Sequence, residues 1–364
     1  MEKQTKSLKN VVVWMRNDLR IRDNPALFKA AAVGAIVPVF VQELTPLKAH
    51  SEGKYQELWL KESLLQLKTE FKNYDIPLIL RSGDPTSIIP QIVGECEAEH
   101  VFWNQRLDPD GMKIDCQVSK ILKEKNINVK VFHGNYLVQP DTVINGKGTY
   151  FKVFTQFWKN YTKNFTPEKP VGLPGKFQAS GVEISSKDLD IFHSEVNNDV
   201  LEGWTPGAQG ANKALEVFIE HRLENYEERD VPSKEVTSKL SPHLRFGEIS
   251  PHRIYWEIRK SKAKMKAKEK FLSELGWREF SYYILYHYPE LPSTNFKPEF
   301  DKLVWNNEPK LLKKWQEGQT GYPIVDAGMR ELRATGYMHN RVRMIVASFL
   351  TKHLLIDWKL GAEW

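Results

Sequence analysis

The chain has 364 residues, room for two domains that can each bury a core. Hydrophobic residues make up 41%, and no apolar run is long enough to span a bilayer, so no membrane partner is expected. The net charge of +6 favours a polyanionic partner, and aromatic content is high, with 11 Trp.

The polar start MEKQTKSLKN runs into only a short apolar stretch and lacks the core of a secretory signal. Two cysteines, Cys96 and Cys116, make neither a disulfide framework nor a zinc site. A cytoplasmic location is expected.

Short apolar runs at 11–14, 35–41, 76–81, 101–103 and 129–132 read as buried strands. Helical patterns at 25–32, 54–71, 85–96 and 109–125 fall between them. The alternation predicts a doubly wound parallel five-stranded sheet, an α/β domain over 9–135. After the first strand stands RNDLRIRDNPAL, not a G-x-G-x-x-G fingerprint, which argues against a nicotinamide dinucleotide site. The sheet still offers a ligand crevice beyond its strand C-termini.

Prolines and glycines then crowd in, as in FTPEKPVGLPGK and EGWTPGAQG. We read a long interdomain linker over 136–211, wrapped on the surface with short elements at most. From 212 to 364 the periodicity is helical, with helices expected at 212–225, 251–265, 271–287, 308–316, 326–335 and 339–353. The fold class is therefore α/β plus all-α.

Three stretches carry chemistry. In FLSELGWREF, a helix puts Glu274, Trp277 and Arg278 on one face, offering a carboxylate, a flat aromatic and a planar cation. That set suits a nucleobase, though an amphipathic helix with a surface ion pair accounts for it equally well. The basic run RKSKAKMKAKEK, just before it, reads either as a polyanion contact or as a solvated helix face. In TSKLSPHLRFGEISP, the hydroxyls of Thr237, Ser238 and Ser241 precede a helical turn, where a phosphate or a plain N-cap fits. Tyr226 and Arg229 upstream add a stacking surface and a charge. In GYMHNRVRMIVASFL, Asn340, Arg343, Met344 and Ala347 share a helix face with Arg341 beside them, groups suited to base edges and phosphates.

WMRNDLRIRDNPAL, SELGWREF, TGYPIVDAGMREL and GYMHNRVRM together resemble motifs of the DNA photolyase/cryptochrome family, in the same order and over essentially the whole chain. Within that family the chain looks most like the bacterial class I cyclobutane pyrimidine dimer enzymes. The resemblance implies a helical C-terminal domain that holds FAD, light-driven dimer repair in damaged DNA, and a monomer. It implies that Tyr226, Thr237, Ser238, Lys239, Leu240, Ser241, Phe271, Arg278, Asn340 and Arg343 bind FAD. Arg229, Glu274, Trp277, Arg278, Asn340, Arg341 and Met344 would meet the lesion or the DNA, with Glu274 and Asn340 catalytic. Trp305 and Trp358 would carry electrons. HN at His339–Asn340 favours repair; a blue-light receptor of the cryptochrome type is the alternative.

The resemblance has departures. Met15 stands for a usual Phe, and Tyr337 for a common Trp. WNQRLDPDGMKID lacks the Asn-Glu pair of the folate-antenna type, so a second chromophore, a deazaflavin or a folate, stays open. The chain ends at GAEW, where the family continues, so we expect a piece of a longer product with the carboxylate partner of Arg343 absent.

Overall fold

The computed structural model describes residues 9–43, 53–188, 196 and 198–364. Most of the polar N-terminal stretch and part of the expected linker, 189–195 and 197, lie outside the described residues.

Five strands form one parallel sheet: β1 (Asn10–Met15), β2 (Ala35–Glu43), β3 (Ile79–Gly83), β4 (His100–Asn104) and β5 (Asn128–Phe132), in the order β3-β2-β1-β4-β5. Helices α1 (Pro25–Ala31), α2 (Lys54–Lys72), α3 (Pro85–Glu95) and α4 (Pro109–Glu124) connect them. Three of the four start with an Asx cap followed by Pro: Asn24, Asp84 and Asp108 each accept a backbone N–H of the first turn. Side chains alternate across β1. Val11, Val13 and Met15 pack under α1 and α2, while Val12 and Trp14 pack toward α3 and α4.

The crevice expected at the β1/β4 switch point is filled by the chain itself. Asn104 donates to Asp18 (2.6 Å), Asn24 donates to the same carboxylate (3.1 Å), and Arg16 bonds the Asn104 carbonyl (2.6 Å) and Asp115. These groups are buried and largely satisfy one another.

The expected linker contains a helix, α5 (Phe154–Asn164), whose Phe157 and Tyr161 are buried. Aromatics at 154, 157, 158, 161 and 165 make its stripe. Further on, the linker guards the β2/β3 edge: Ile36 N donates to Gln178 O (2.8 Å), and Lys187 N to Leu80 O (2.9 Å).

The C-terminal part is helical: α6 (Ala208–Val217), α7 (Ser241–Arg245), α8 (Pro251–Lys260), α9 (Met265–His287), α10 (Pro309–Gln316), α11 (Pro323–Thr335), α12 (Asn340–Ser348) and α13 (Trp358–Glu363). The expected helix at 212–225 divides: α6 passes into a π turn, Phe218–Arg222, and then 3-10 turns, Leu223–Asp230.

The two halves meet along residues 16–24 and 243–250. The Arg20 guanidinium is buried and donates to four oxygens: Asp23 O (2.8 Å), Asn135 Oδ1 (3.0 Å), Gly247 O (2.8 Å) and Gly134 O (2.7 Å). Glu248 is buried and accepts from Trp59 (2.8 Å), Ser63 and His243. Gly247 has φ +65°, and a Cβ there would lie 1.9 Å from Asn17 O. Only glycine permits so close an approach. Gly247→Ala is expected to cost about 2 kcal/mol or more in denaturant unfolding. Gly175→Ala, which meets nothing within 4 Å, should change little.

Candidate active site

α9 is the wall of the site. Phe271 points inward and meets Tyr226 (5.2 Å) and Phe218 (4.6 Å). One turn on, Glu274 takes a hydrogen bond from Arg229 Nη1 (2.7 Å). The same nitrogen is 3.5 Å from Asp230, whose Oδ1 also pairs with Arg341 of α12 (2.6 Å). Arg229 lies over the Tyr226 ring (5.9 Å). The change from α to π and 3-10 winding after Val217 sets Tyr226 and Arg229 against α9; such irregular turns recur at functional sites. Tyr226, Arg229, Phe271, Glu274 and Arg341 are thus brought together.

His339 caps α12, its Nδ1 accepting the Arg341 N–H (3.1 Å), and burial holds its imidazole below the usual range. Asn340, the first residue of the helix, is exposed, as are Arg343 and Met344. Met344 Sδ is 3.7 Å from Arg341.

The hydroxyl turn lies beside this cluster. Lys239 adopts a left-handed backbone (φ +55°), Leu240 is buried beneath, and Ser241 is exposed. The Thr237 carbonyl accepts from Arg222 (3.3 Å). Tyr337 packs on Trp204 (5.4 Å), over which Lys239 is placed (5.8 Å), and acts electrostatically on Tyr226. Tyr337 therefore links the turn to the cluster, a role its spacing did not signal. The donor set fits a diphosphate. It offers three hydroxyls and an ammonium, and among the described residues no carboxylate pairs with Lys239 or Arg343.

Trp277 is 46% exposed. One ring face lies on Phe154 (3.8 Å, 13° between planes), and Phe280 meets it edge-on (5.9 Å). Phe154 in turn stacks toward Trp158 (6.2 Å, 11°). Gly276 makes room for this column, since a Cβ there would fall 2.5 Å from the Trp158 ring. The sequence held this signal in the aromatic stripe at 154–165, but the stripe fell inside the expected linker.

Arg278 goes elsewhere. It pairs with buried Glu279 (2.8 Å) and lies over Tyr282 (5.0 Å) and Tyr136 (5.6 Å), away from the partners of Glu274. Trp358 donates to Asn295 (2.9 Å), and the bond from Asn306 N to Leu355 O (2.7 Å) holds the Trp305 and Trp358 segments side by side. Among the described residues no ring contact joins these two Trp. Much of the basic run is spent on local pairs. Arg259 binds Glu269 (2.7 Å), Lys264 binds Glu224 (2.7 Å), Lys266 binds Glu227, and buried Lys268 caps the Arg259 and Ser261 carbonyls.

Burial pushes the Glu274 carboxyl above its ordinary 4.5, against the pull of Arg229 and Lys270. A carboxyl raised on folding favours the fold in its neutral form. That contribution is complete below the ordinary value and lost as pH rises through the raised one. Glu274→Gln loses nothing over this window. The stability difference should therefore move in favour of Gln as pH climbs from 4.5 upward, read by denaturant midpoints; a constant difference or the opposite trend would show that the Arg229 pair dominates.

Residues 11–174 match the DNA photolyase model, and 271–364 match the FAD binding domain of DNA photolyase. A deoxyribodipyrimidine photo-lyase of Agrobacterium fabrum is 41% identical over 97% of this chain and 75% of its own length. Cryptochrome-1 of Arabidopsis thaliana is 32% identical over 97% of this chain and 54% of its own. A crystal structure of a bacterial class III photolyase from Agrobacterium tumefaciens superposes with a TM-score of 0.95 at 39% identity, covering 100% of this chain and 77% of that one. This chain belongs to the DNA photolyase/cryptochrome family, as an enzyme of the photo-lyase type with FAD as its cofactor.

Proposed function

We propose that the protein repairs cyclobutane pyrimidine dimers in DNA, taking the damaged pair out of the duplex or from single-stranded DNA. The observation that carries this reading is on adjoining turns of α9: a carboxyl raised by burial beside a Trp with one ring face covered and the other free. Extrusion of a damaged, poorly stacked pair costs less than extrusion of a normal base, which favours the lesion.

Reduced FAD, when bound and excited by light, supplies the electron that splits the dimer. The residues of the chain hold and orient both reactants. Tyr226, Thr237, Ser238, Lys239, Leu240 and Ser241 cradle the dinucleotide, chiefly its diphosphate, with Arg343 and Asn340 beside it. Phe271 backs Tyr226. The Trp277 ring takes the flipped pair on its free face. Glu274, in its neutral form, donates a hydrogen bond to a base carbonyl, and Asn340 supplies a second polar contact. Met344 gives an apolar wall, and Arg229 and Arg341 take phosphates. Arg278 acts from behind, through Glu279 and the Tyr136 segment. Trp358 and Trp305 form part of a route that reloads the cofactor with electrons.

A second chromophore, deazaflavin or folate, would use the 9–135 domain, and 136–211 and 212–364 complete the working division. The protein acts as a monomer in the cytoplasm, consistent with two free cysteines. The subclass rests on the neighbours: one is described as class III, where the sequence motifs pointed to class I.

The rival reading is a blue-light receptor without repair, favoured by the cryptochrome relatives. Irradiation of a dimer-containing oligonucleotide with near-UV light, against a dark control, separates the two. Repair predicts loss of the dimer in the light alone; flavin photoreduction with the dimer intact would support the receptor. Trp277→Ala should weaken binding of dimer-containing DNA by about 1–3 kcal/mol and leave undamaged DNA nearly unchanged. Equal losses on both would remove Trp277 from recognition.

A further inference from the structure

Asp230 closes the 3-10 stretch and faces the mouth of the site. Its Oδ1 is 2.6 Å from Arg341 Nη2 and 3.5 Å from Arg229 Nη1, so one carboxylate oxygen serves two guanidinium groups from two elements. Arg229 has a second acid in Glu274, whereas among the described residues the Arg341 guanidinium pairs with Asp230 alone and otherwise meets the Met344 sulfur. The Arg341 and Asp230 side chains are 36% and 43% exposed, so water and salt reach the pair. Lys270 and Glu274 face Asp230 from α9. An exposed ion pair of this kind is weak and opens readily.

We propose that Asp230 is a built-in stand-in for a DNA phosphate, occupying Arg341 in the free protein and lowering its affinity for every DNA that reaches the mouth. The inference rests on the reading above that Arg341 contacts DNA. A phosphate that takes Arg341 gains a charge-assisted hydrogen bond. It must first displace Asp230, whose carboxylate is then left with the 3.5 Å contact to Arg229 alone and faces the polyanion. The freed carboxylate draws a cation from solution, and this cancels about one of the counterions that the DNA releases. The penalty falls on damaged and undamaged DNA alike. It keeps weak, unproductive binding short.

The test is Asp230→Asn in the full chain. Asn keeps the shape and a hydrogen-bonding oxygen but removes the charge. Binding of undamaged and dimer-containing duplexes is measured by fluorescence anisotropy over a series of salt concentrations. The inference expects both to tighten by about 1.5- to fivefold at low salt, with their ratio kept. The plot of log affinity against log salt should steepen by about one. In an Arg341→Ala background the Asp230→Asn effect should shrink to the part that comes from the Asp230 charge facing the DNA. If Arg341→Ala alone leaves DNA binding unchanged, the placement of Arg341 at the DNA fails and this inference with it, while the reading carried by Glu274 and Trp277 stands. If Arg341→Ala weakens binding but Asp230→Asn changes neither affinity nor slope, only the present inference falls. It falls also if the Asp230→Asn effect persists in full without Arg341, because a general field then explains it.

Discussion

One 23-residue helix, α9, is used on every side, and the rest of the helical half depends on it. It has no clear division into a wet and a dry face. Phe271, Leu272 and Leu275 are buried with α6 and α8, and Phe280, Tyr283 and Ile284 with the aromatic end of α5. Glu279 is buried and accepts the Leu137 N–H (2.7 Å) while pairing with Arg278. A buried carboxylate is tolerable only when bonded in this way, and its loss would leave Arg278 and a backbone donor unpaired. The helix cannot turn about its axis without breaking one of these contacts. Glu274 and Trp277 are therefore held at fixed angles to the mouth.

The junction of the halves follows the same logic. Arg20, Asp23, Glu248 and Ser250 are all buried; Arg20 and Asp23 bond across from the 16–24 loop to Gly247 and Ser250, and Glu248 bonds the same segment to Trp59 and Ser63 of α2. The 16–24 loop also plugs the sheet's switch point through Asp18 and Asn24. A ligand cannot use that crevice without displacing a bonded network. The loop has become the joint between sheet and helices, and it ties the sheet to the segment that follows the hydroxyl turn.

Most of the architecture was legible because its signals are local. Strands of five to nine residues bounded by Asx-Pro caps leave little freedom in where elements start. The motif that holds Glu274 and Trp277 is contiguous on one helix, so its spacing alone placed both residues. What escaped depends on contacts remote in sequence. Phe154 lies more than a hundred positions from Trp277, in a stretch whose prolines suggested only a linker. Asp230 and Arg341 meet although more than a hundred positions separate them. Tyr337 gained its place from its packing on Trp204, more than a hundred positions away. Arg278 looked equivalent to Glu274 by helical spacing, but the buried Glu279 beside it draws it the other way. The basic run promised a polyanion surface, and its nearest acids on the 3-10 stretch consume much of that charge.

The central claim is that the helical half sets the cofactor next to an extruded pyrimidine pair, with Trp277 and Glu274 as the facing wall. The most direct measurement is the excited-state lifetime of the reduced flavin in the purified protein, with and without a bound dimer-containing oligonucleotide. The account predicts a clear shortening by the dimer that an undamaged oligonucleotide of the same sequence does not produce. An unchanged lifetime with the dimer demonstrably bound would contradict it.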